Sequence, residues 1–375
     1  MDFDVIVVGG SAIGGAAAAE CAKNGLKTAI LEEDKHVGKY KRCTAFCSES
    51  GLKATKIPYK DAILNKVKGA VIHSPNKTAE IKMSKDRAIV FDRQKFDENS
   101  IDRALYYGAE LFKEHRAVSF RSFSKFHYSV FAGKTFNSSI VVGADGVASH
   151  TAASFNFPSF DHVAYCHEKE ITGVRVPHTD LVDVVIDNEK IPGFFGWCVP
   201  VDEKTVRVGF GTTRLNHLVQ AKKYFFSYSN SPSSNSFSSL SFLKSKSAKT
   251  LRQFYAAIPL GPRKRIQIDN VLLVGDAAGQ TKATTGGGLV FGSLAAQIAG
   301  ETIAEHLFNN KKLEYEKRWR KEYNSILMLH KLTRKLVDAS SNSMLDFYVS
   351  LLSFSPVNKM LSKFGDMDFI FKYNK

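Results

Sequence analysis

Cysteine is scarce, with five in 375 residues. That excludes a disulfide framework, and no regular spacing suggests a zinc module. No apolar run approaches the roughly 20 residues needed to span a bilayer. Met1-Asp2-Phe3-Asp4 leads straight into Val5-Ile6-Val7-Val8, too short and too acidic for a signal peptide. A soluble protein of a reducing, cytoplasmic compartment is expected. Internal repeats are absent. Acid is also short: 52 Lys and Arg against 37 Asp and Glu leave a net charge of +15. The resulting field attracts anions, whether nucleic acid, lipid headgroups or a phosphorylated cofactor, although a lysine-rich solvated surface is the plainest account. No recognised nucleic-acid module dominates a domain, so no nucleic-acid partner is expected.

What the chain has is glycine placed after strands. Asp4 to Val8 is β-branched, Gly9-Gly10-Ser11-Ala12-Ile13-Gly14-Gly15 follows, and Ala16 to Lys23 is strongly helix-forming with Gly25 placed to end it. Lys27 to Leu31 reads as a second strand ending at Glu32, 18 residues after Gly14. This is a βαβ unit with a dinucleotide fingerprint in which Ser11 replaces the usual second glycine. Ser139 to Ser149 repeats the pattern, a buried strand ending in Gly143-Ala144-Asp145-Gly146. Val271 to Val274 does so again, followed by Gly275-Asp276 and by Gly286-Gly287-Gly288 before an alanine-rich helix from Leu289 to Phe308. Taken alone, this last stretch offers a helix end and a carboxylate to a ligand.

Between these landmarks, residues 35–60 read as loop, carrying Cys43 and Cys47 as unpaired thiols near a ligand, or else a redox pair or half a metal site. Val71 to Met83 and Arg87 to Phe91 read as short strands, and Asp92 opens a helix to about Tyr107, with a strand at 108–112. Residues 163–211 predict an antiparallel sheet whose most distinctive piece is Ile191 to Pro200, with Phe194, Phe195 and Trp197 either walling an apolar cavity or filling core. His162, Cys166 and His167 are read as structural, and no metal is assigned. Serine takes 11 of the 21 positions from Ser227 to Ser247, a solvated connection. Lys311 to Lys335 carries nine basic and three acidic residues among Trp319, Tyr323, Ile326 and Leu327. Such a helix could lie on an anionic membrane surface or dock on its own domain.

In chain order, Gly9 to Gly14 with Glu32, then Gly143 to Gly146, then Gly275-Asp276 resemble the two-domain flavoproteins of the aromatic-hydroxylase and glutathione-reductase type. Within that superfamily the sequence is most similar to the geranylgeranyl reductase family. Arg42 to Phe46 with Ser48-Glu49, Phe195 to Pro200, Lys282 to Gly288, Tyr315 to Trp319 and Gly365 to Asp368 carry this closer match. The resemblance implies an α/β fold: a Rossmann-type FAD-binding domain (1–70, 91–158 and 250–310), an antiparallel-sheet substrate domain (71–90 and 159–249) and a C-terminal helical region (311–375).

It also implies FAD, and roles for individual residues. Gly9, Ser11, Ala12, Ile13 and Gly14 would hold the pyrophosphate and Glu32 the adenosine ribose. Arg93 would reach the phosphate or ribityl region, with Ala117 and Val118 near the adenine. Asp145 belongs to the second glycine motif; Gly275 and Asp276 would meet the ribityl chain, and Gly286, Gly287, Gly288 and Leu289 the isoalloxazine. Cys43, Thr44 and Phe46 would line the flavin's other side, with Cys43 the candidate proton donor. Phe194, Phe195, Trp197 and Pro200 would meet an isoprenoid lipid substrate. The implied reaction is saturation of isolated double bonds in geranylgeranyl chains, with NAD(P)H or ferredoxin as electron donor. An FAD monooxygenase, a menaquinone side-chain reductase, and a basic membrane- or nucleic-acid-binding protein with a vestigial flavin fold are the alternatives.

Overall fold

The computed structural model describes residues 2–39, 42–83, 87–124, 127–226, 240, 242–365 and 368. Most of the serine-rich segment, with Tyr40, Lys41, Asp366 and Met367, lies outside them.

The strand Asp2–Val8 is the axis of an eight-stranded sheet. It pairs in parallel with Thr28–Leu31 on one side and Lys134–Gly143 on the other. Val271–Leu273 adds in parallel beyond Lys134–Gly143, and Glu110–Phe112 beyond Thr28–Leu31. A continuous β-branched run suits this central place because both faces are covered. The alanine-rich helix Ala12–Lys23 packs against it with no side chain larger than needed, and Ala16 to Ala19 are all fully buried. Strand ends carrying Gly9, Gly143 and Gly275 thus emerge on one edge, the C-terminal edge where open α/β sheets bind ligands.

A second, seven-stranded sheet lies beside the first. It is mainly antiparallel, built from Val163–Thr172, Leu181–Val185, Gly196–Pro200 and Thr205–Thr212, with the hairpin Gly69–His73 and Thr78–Lys82 at one end. Lys249–Pro259 forms its other edge, paired along the length of Val163–Thr172. The division expected at residue 250 therefore falls after Pro259 in the sheet topology, because which sheet a strand joins depends on its partner rather than its own pattern. Ala88–Phe91 also leaves the second sheet, for a small three-stranded one with Phe46–Ser48 and Ile63–Val67.

Two other expectations change. Residues 35–60 are not all loop: Phe46–Ser48 is a strand, and Ser48 caps the helix Glu49–Ala54 by accepting from the Gly51 N–H at 2.9 Å. The basic segment forms the helix Tyr315–Ala339, which turns Tyr315, Trp319, Tyr323 and Leu327 into the core. Its first half docks on its own domain. Leu332 and Leu336 in its second half stay exposed, as do Phe347 and Leu351 in the helix Asn342–Ser353, Met360 in the helix Ser355–Phe364, and Phe354 between the two.

Candidate active site

The turn after the first strand is shaped by contacts that a side chain would forbid. Gly9 has φ +104°, and a Cβ on Gly14 would fall 1.8 Å from the Gly9 carbonyl oxygen. The helix can therefore start directly behind the strand. Asp97 accepts the Ala12 N–H at 2.9 Å and is gripped at the same distance by Arg93 Nε. Glu32 ends the second strand and accepts the Gly10 and Asp34 N–H groups at 2.6 and 2.8 Å. Burial pushes its carboxyl above the ordinary value, with those two bonds opposing.

The glycines around residue 287 work in the same way. A Cβ on Gly288 would stand 2.7 Å from Asp276 Oδ1, and one on Gly287 would stand 2.8 Å from Lys282 Cε. Neither residue has room for a side chain. Burial raises the Asp276 carboxyl above its usual value against the pull of Arg93. Lys282 is buried and donates to Asp368 Oδ1 at 2.5 Å, while Asp368 Oδ2 accepts the Ser48 N–H at 2.7 Å. Burial alone would raise the Asp368 carboxyl, but Lys282 and the bonds from Ser48 win and hold it below the usual range.

Ser11, Ile13, Cys43, Thr44, Phe46, Arg93, Phe194, Phe195, Trp197, Asp276, Gly287, Gly288 and Leu289 all line one cavity of about 590 Å³. The cavity runs from the first glycine turn, past Asp276 and the 286–289 backbone, onto the inner face of the second sheet, where Cys166, Val199, Phe254 and Ile258 add apolar surface. Leu361 and Gly365 of the C-terminal region also line it. The Phe194 and Phe195 rings touch with centroids 4.4 Å apart, tilted by 32°, and Phe195 meets Trp197 edge-on at 5.6 Å.

Other expected residues lie elsewhere. Pro200 faces away from the cavity wall; its carbonyl accepts from Asn65 Nδ2 at 2.9 Å, and Val199 lines the space instead. The Asp145 carboxylate is spent on its own turn, accepting from Ser149 Oγ and the Thr151 N–H at 2.6 and 2.8 Å. Ala117 is buried and Val118 half exposed on the segment that passes Glu32, joined to it by the His115 N–H donating to the Glu32 carbonyl at 2.8 Å. Gly9, Ala12, Gly14 and Gly275 are not among the residues lining the cavity. Cys43 accepts from the Ala45 N–H at 3.3 Å, and Cys47 beside it is a buried thiol pushed well up by desolvation. Of the trio His162, Cys166 and His167, Cys166 faces the cavity, whereas His167 stacks on Tyr255 at 4.3 Å.

Sequence reasoning missed Glu168. It sits fully buried in Val163–Thr172, accepting from the Thr44 hydroxyl and from Trp197 Nε1 at 2.9 Å. The only signal was a glutamate inside an alternating apolar strand, which by itself reads as a solvent-facing position.

No family model matches the chain. An uncharacterized protein of Methanocaldococcus jannaschii is 30% identical over 98% of this chain and 92% of its own length. The digeranylgeranylglycerophospholipid reductase of the same organism is 29% identical over 96% of this chain and 93% of its own length. The chain belongs to the geranylgeranyl reductase family. Among solved structures, this family member is similar to a geranylgeranyl bacteriochlorophyll reductase-like protein from Thermoplasma acidophilum. The TM-score is 0.84 at 22% identity, covering 96% of each chain. The fold of the family member is accordingly the Rossmann-type flavoprotein fold with an added antiparallel sheet and C-terminal helices.

Proposed function

We propose that the chain is an FAD-dependent reductase that saturates isolated double bonds in the geranylgeranyl chains of archaeal-type membrane lipids or their precursors. The observation that carries this reading is the single cavity that joins the glycine-edged cradle around Asp276 to an aromatic and aliphatic sheet face. The relatives named as digeranylgeranylglycerophospholipid reductases support it.

The residues present fit FAD. Ser11 and Ile13 begin the cradle at a helix N-terminus suited to a pyrophosphate. Arg93 and Asp276 would flank the ribityl chain, and Gly286 to Leu289 leave the backbone bare for a flat ring. Bound FAD, once reduced, would supply two electrons and one hydrogen as hydride. The protein's part is to seat the chain and exclude water. Phe194, Phe195 and Trp197 hold a flexible apolar chain by contact area, and Cys43, Thr44 and Phe46 close the opposite wall.

A lipid substrate needs a route from a bilayer. Leu361, which lines the cavity, belongs to the helix Ser355–Phe364, which exposes Met360, Lys359 and Lys363 and follows the exposed Phe354. That face, with the exposed Leu332, Leu336, Phe347 and Leu351, is where peripheral contact with an anionic membrane would deliver the chain. The test is incubation of the chemically reduced protein with unsaturated archaeal-type lipids. Gain of two hydrogens per double bond is expected; an oxygenated product would point to a monooxygenase on the same fold.

A further inference from the structure

Val163–Thr172 alternates strictly. His167 and Lys169 point to the outer layer, where His167 stacks on Tyr255 and the Lys169 ammonium lies 4.5 Å over the Phe226 ring. Cys166, Glu168 and Glu170 point inward, with Cys166 on the cavity wall. The strand thus places a carboxyl behind that wall.

Two partners separate Glu168 from the cavity, and both line it: Thr44 and Trp197. Both donate to the same oxygen, Oε2, the indole N–H at 2.9 Å. Oε1 is buried and has no hydrogen-bond partner among the described residues. Arg252 Nη2 stands 3.9 Å from it, outside hydrogen-bond range. A buried carboxylate oxygen left bare costs far more than a protonated one. Desolvation accordingly raises the carboxyl, outweighing Thr44, Trp197, Arg207 and Arg252.

The surroundings are built to hold this arrangement. Glu170 engages both arginines, accepting from Arg207 Nε at 2.9 Å and Arg252 Nε at 3.0 Å. Arg207 Nη1 then donates to the Thr44 carbonyl at 2.7 Å and fixes the loop that carries the hydroxyl. Gly209, opposite Glu168, leaves room for the indole, since a Cβ there would lie 2.5 Å from Trp197 Cζ2.

We propose that Glu168 and Thr44 form the acid of the alkene reduction, with Glu168 storing the proton and the Thr44 hydroxyl passing it into the cavity. The inference rests on the reductase reading above. One alkene carbon receives the hydride, and the π pair forms the second C–H bond with the Thr44 hydroxyl proton. For this the Thr44 hydroxyl turns its hydrogen from Glu168 toward the alkene, the Glu168 proton sits on Oε2, and the Thr44 oxygen takes it in the same step. Glu168 is left as a carboxylate facing Arg207 and Arg252, steadied by the Trp197 N–H, and regains a proton from water when product leaves. Cys43 is then not required as the donor.

The test uses the FAD-loaded protein, with Glu168→Gln and Thr44→Val as variants that keep size and shape. Infrared difference spectra of wild type against E168Q at pH 7 should contain a carboxylic C=O stretch that E168Q lacks. Single-turnover transfer from chemically reduced protein to a geranylgeranyl lipid should slow by about 100-fold in E168Q and T44V, the usual scale for a lost proton donor. Thr44→Ser should restore it, and E168Q should keep its FAD content. An ionised Glu168 at pH 7, or E168Q turnover within about twofold of wild type, a difference well below that scale, would overturn the assignment. A carboxylic band in a wild type that saturates no lipid would uphold the proton store and remove the reductase reading instead.

Discussion

Lys282 and Asp368 are 86 positions apart and meet in a buried ion pair of 2.5 Å at the wall of the cavity. The pair ties Asp368 to the glycine cluster on one side and, through the Ser48 N–H, to the strand Phe46–Ser48 that carries Cys47 and follows Cys43 on the other. Gly51 allows the approach, since a Cβ there would stand 2.7 Å from Asp368 Oδ2. The cavity is closed from a distance.

Breaking one side of this pair leaves a buried charge. Lys282→Met and Asp368→Asn should each lower unfolding free energy by about 3 kcal/mol, while the double variant should lose less than the sum. Denaturant titrations measure all three. Because the folded Asp368 carboxyl lies below its unfolded value, its contribution is present above an unfolded value of about 3.9 and is lost as pH falls through the lower folded value. D368N should flatten the acid limb of the stability profile.

Gly287 and Gly288 separate cofactor retention from folding. Gly287→Val pushes on Lys282, and Gly288→Ala sets a methyl group 2.7 Å from the native position of Asp276 Oδ1. In G288A the carboxylate must leave its rotamer, and FAD affinity should fall roughly tenfold, about 1.4 kcal/mol. Flavin absorbance per chain reads that loss, and melting temperature should move little. G287V with full flavin content and activity would contradict the placement of the ring.

Trp319 tests how the basic helix is docked. Its side chain is fully buried, so Trp319→Ala should cost roughly 3–5 kcal/mol. Both urea midpoint and thermal midpoint should drop.

Leu332 and Leu336 on the same helix are about 60% exposed. Serine at both positions should leave stability within about 0.5 kcal/mol and weaken flotation with vesicles containing anionic lipid. Unchanged flotation would place membrane contact elsewhere.

The parts of the site that were legible in the sequence are those made by neighbours in the chain. A β-branched strand, a glycine turn and a small-residue helix announce themselves at residues 4–25 and again at 271–300, because conformation there is set by local sterics. Glu168 was illegible because its meaning depends on Thr44, 124 positions away, and on Trp197. Nothing in Lys282 alone points to Asp368. Pro200 illustrates the opposite error: a motif residue next to the wall whose strand alternation turns it away. The sequence of the strand Lys249–Pro259 fits either sheet, and only Val163–Thr172 beside it decides which one it joins.

The central claim is that one cavity holds a reducing cofactor against an isoprenoid chain. Mass spectrometry of digeranylgeranyl lipid incubated anaerobically with dithionite-reduced, FAD-loaded protein tests it most directly. The account predicts products heavier by two hydrogens per saturated bond and, in D₂O, by two deuteriums, because the hydrogen on a dithionite-reduced flavin and the transferred proton both come from solvent. Unaltered lipid from protein carrying a full complement of reduced flavin would contradict it.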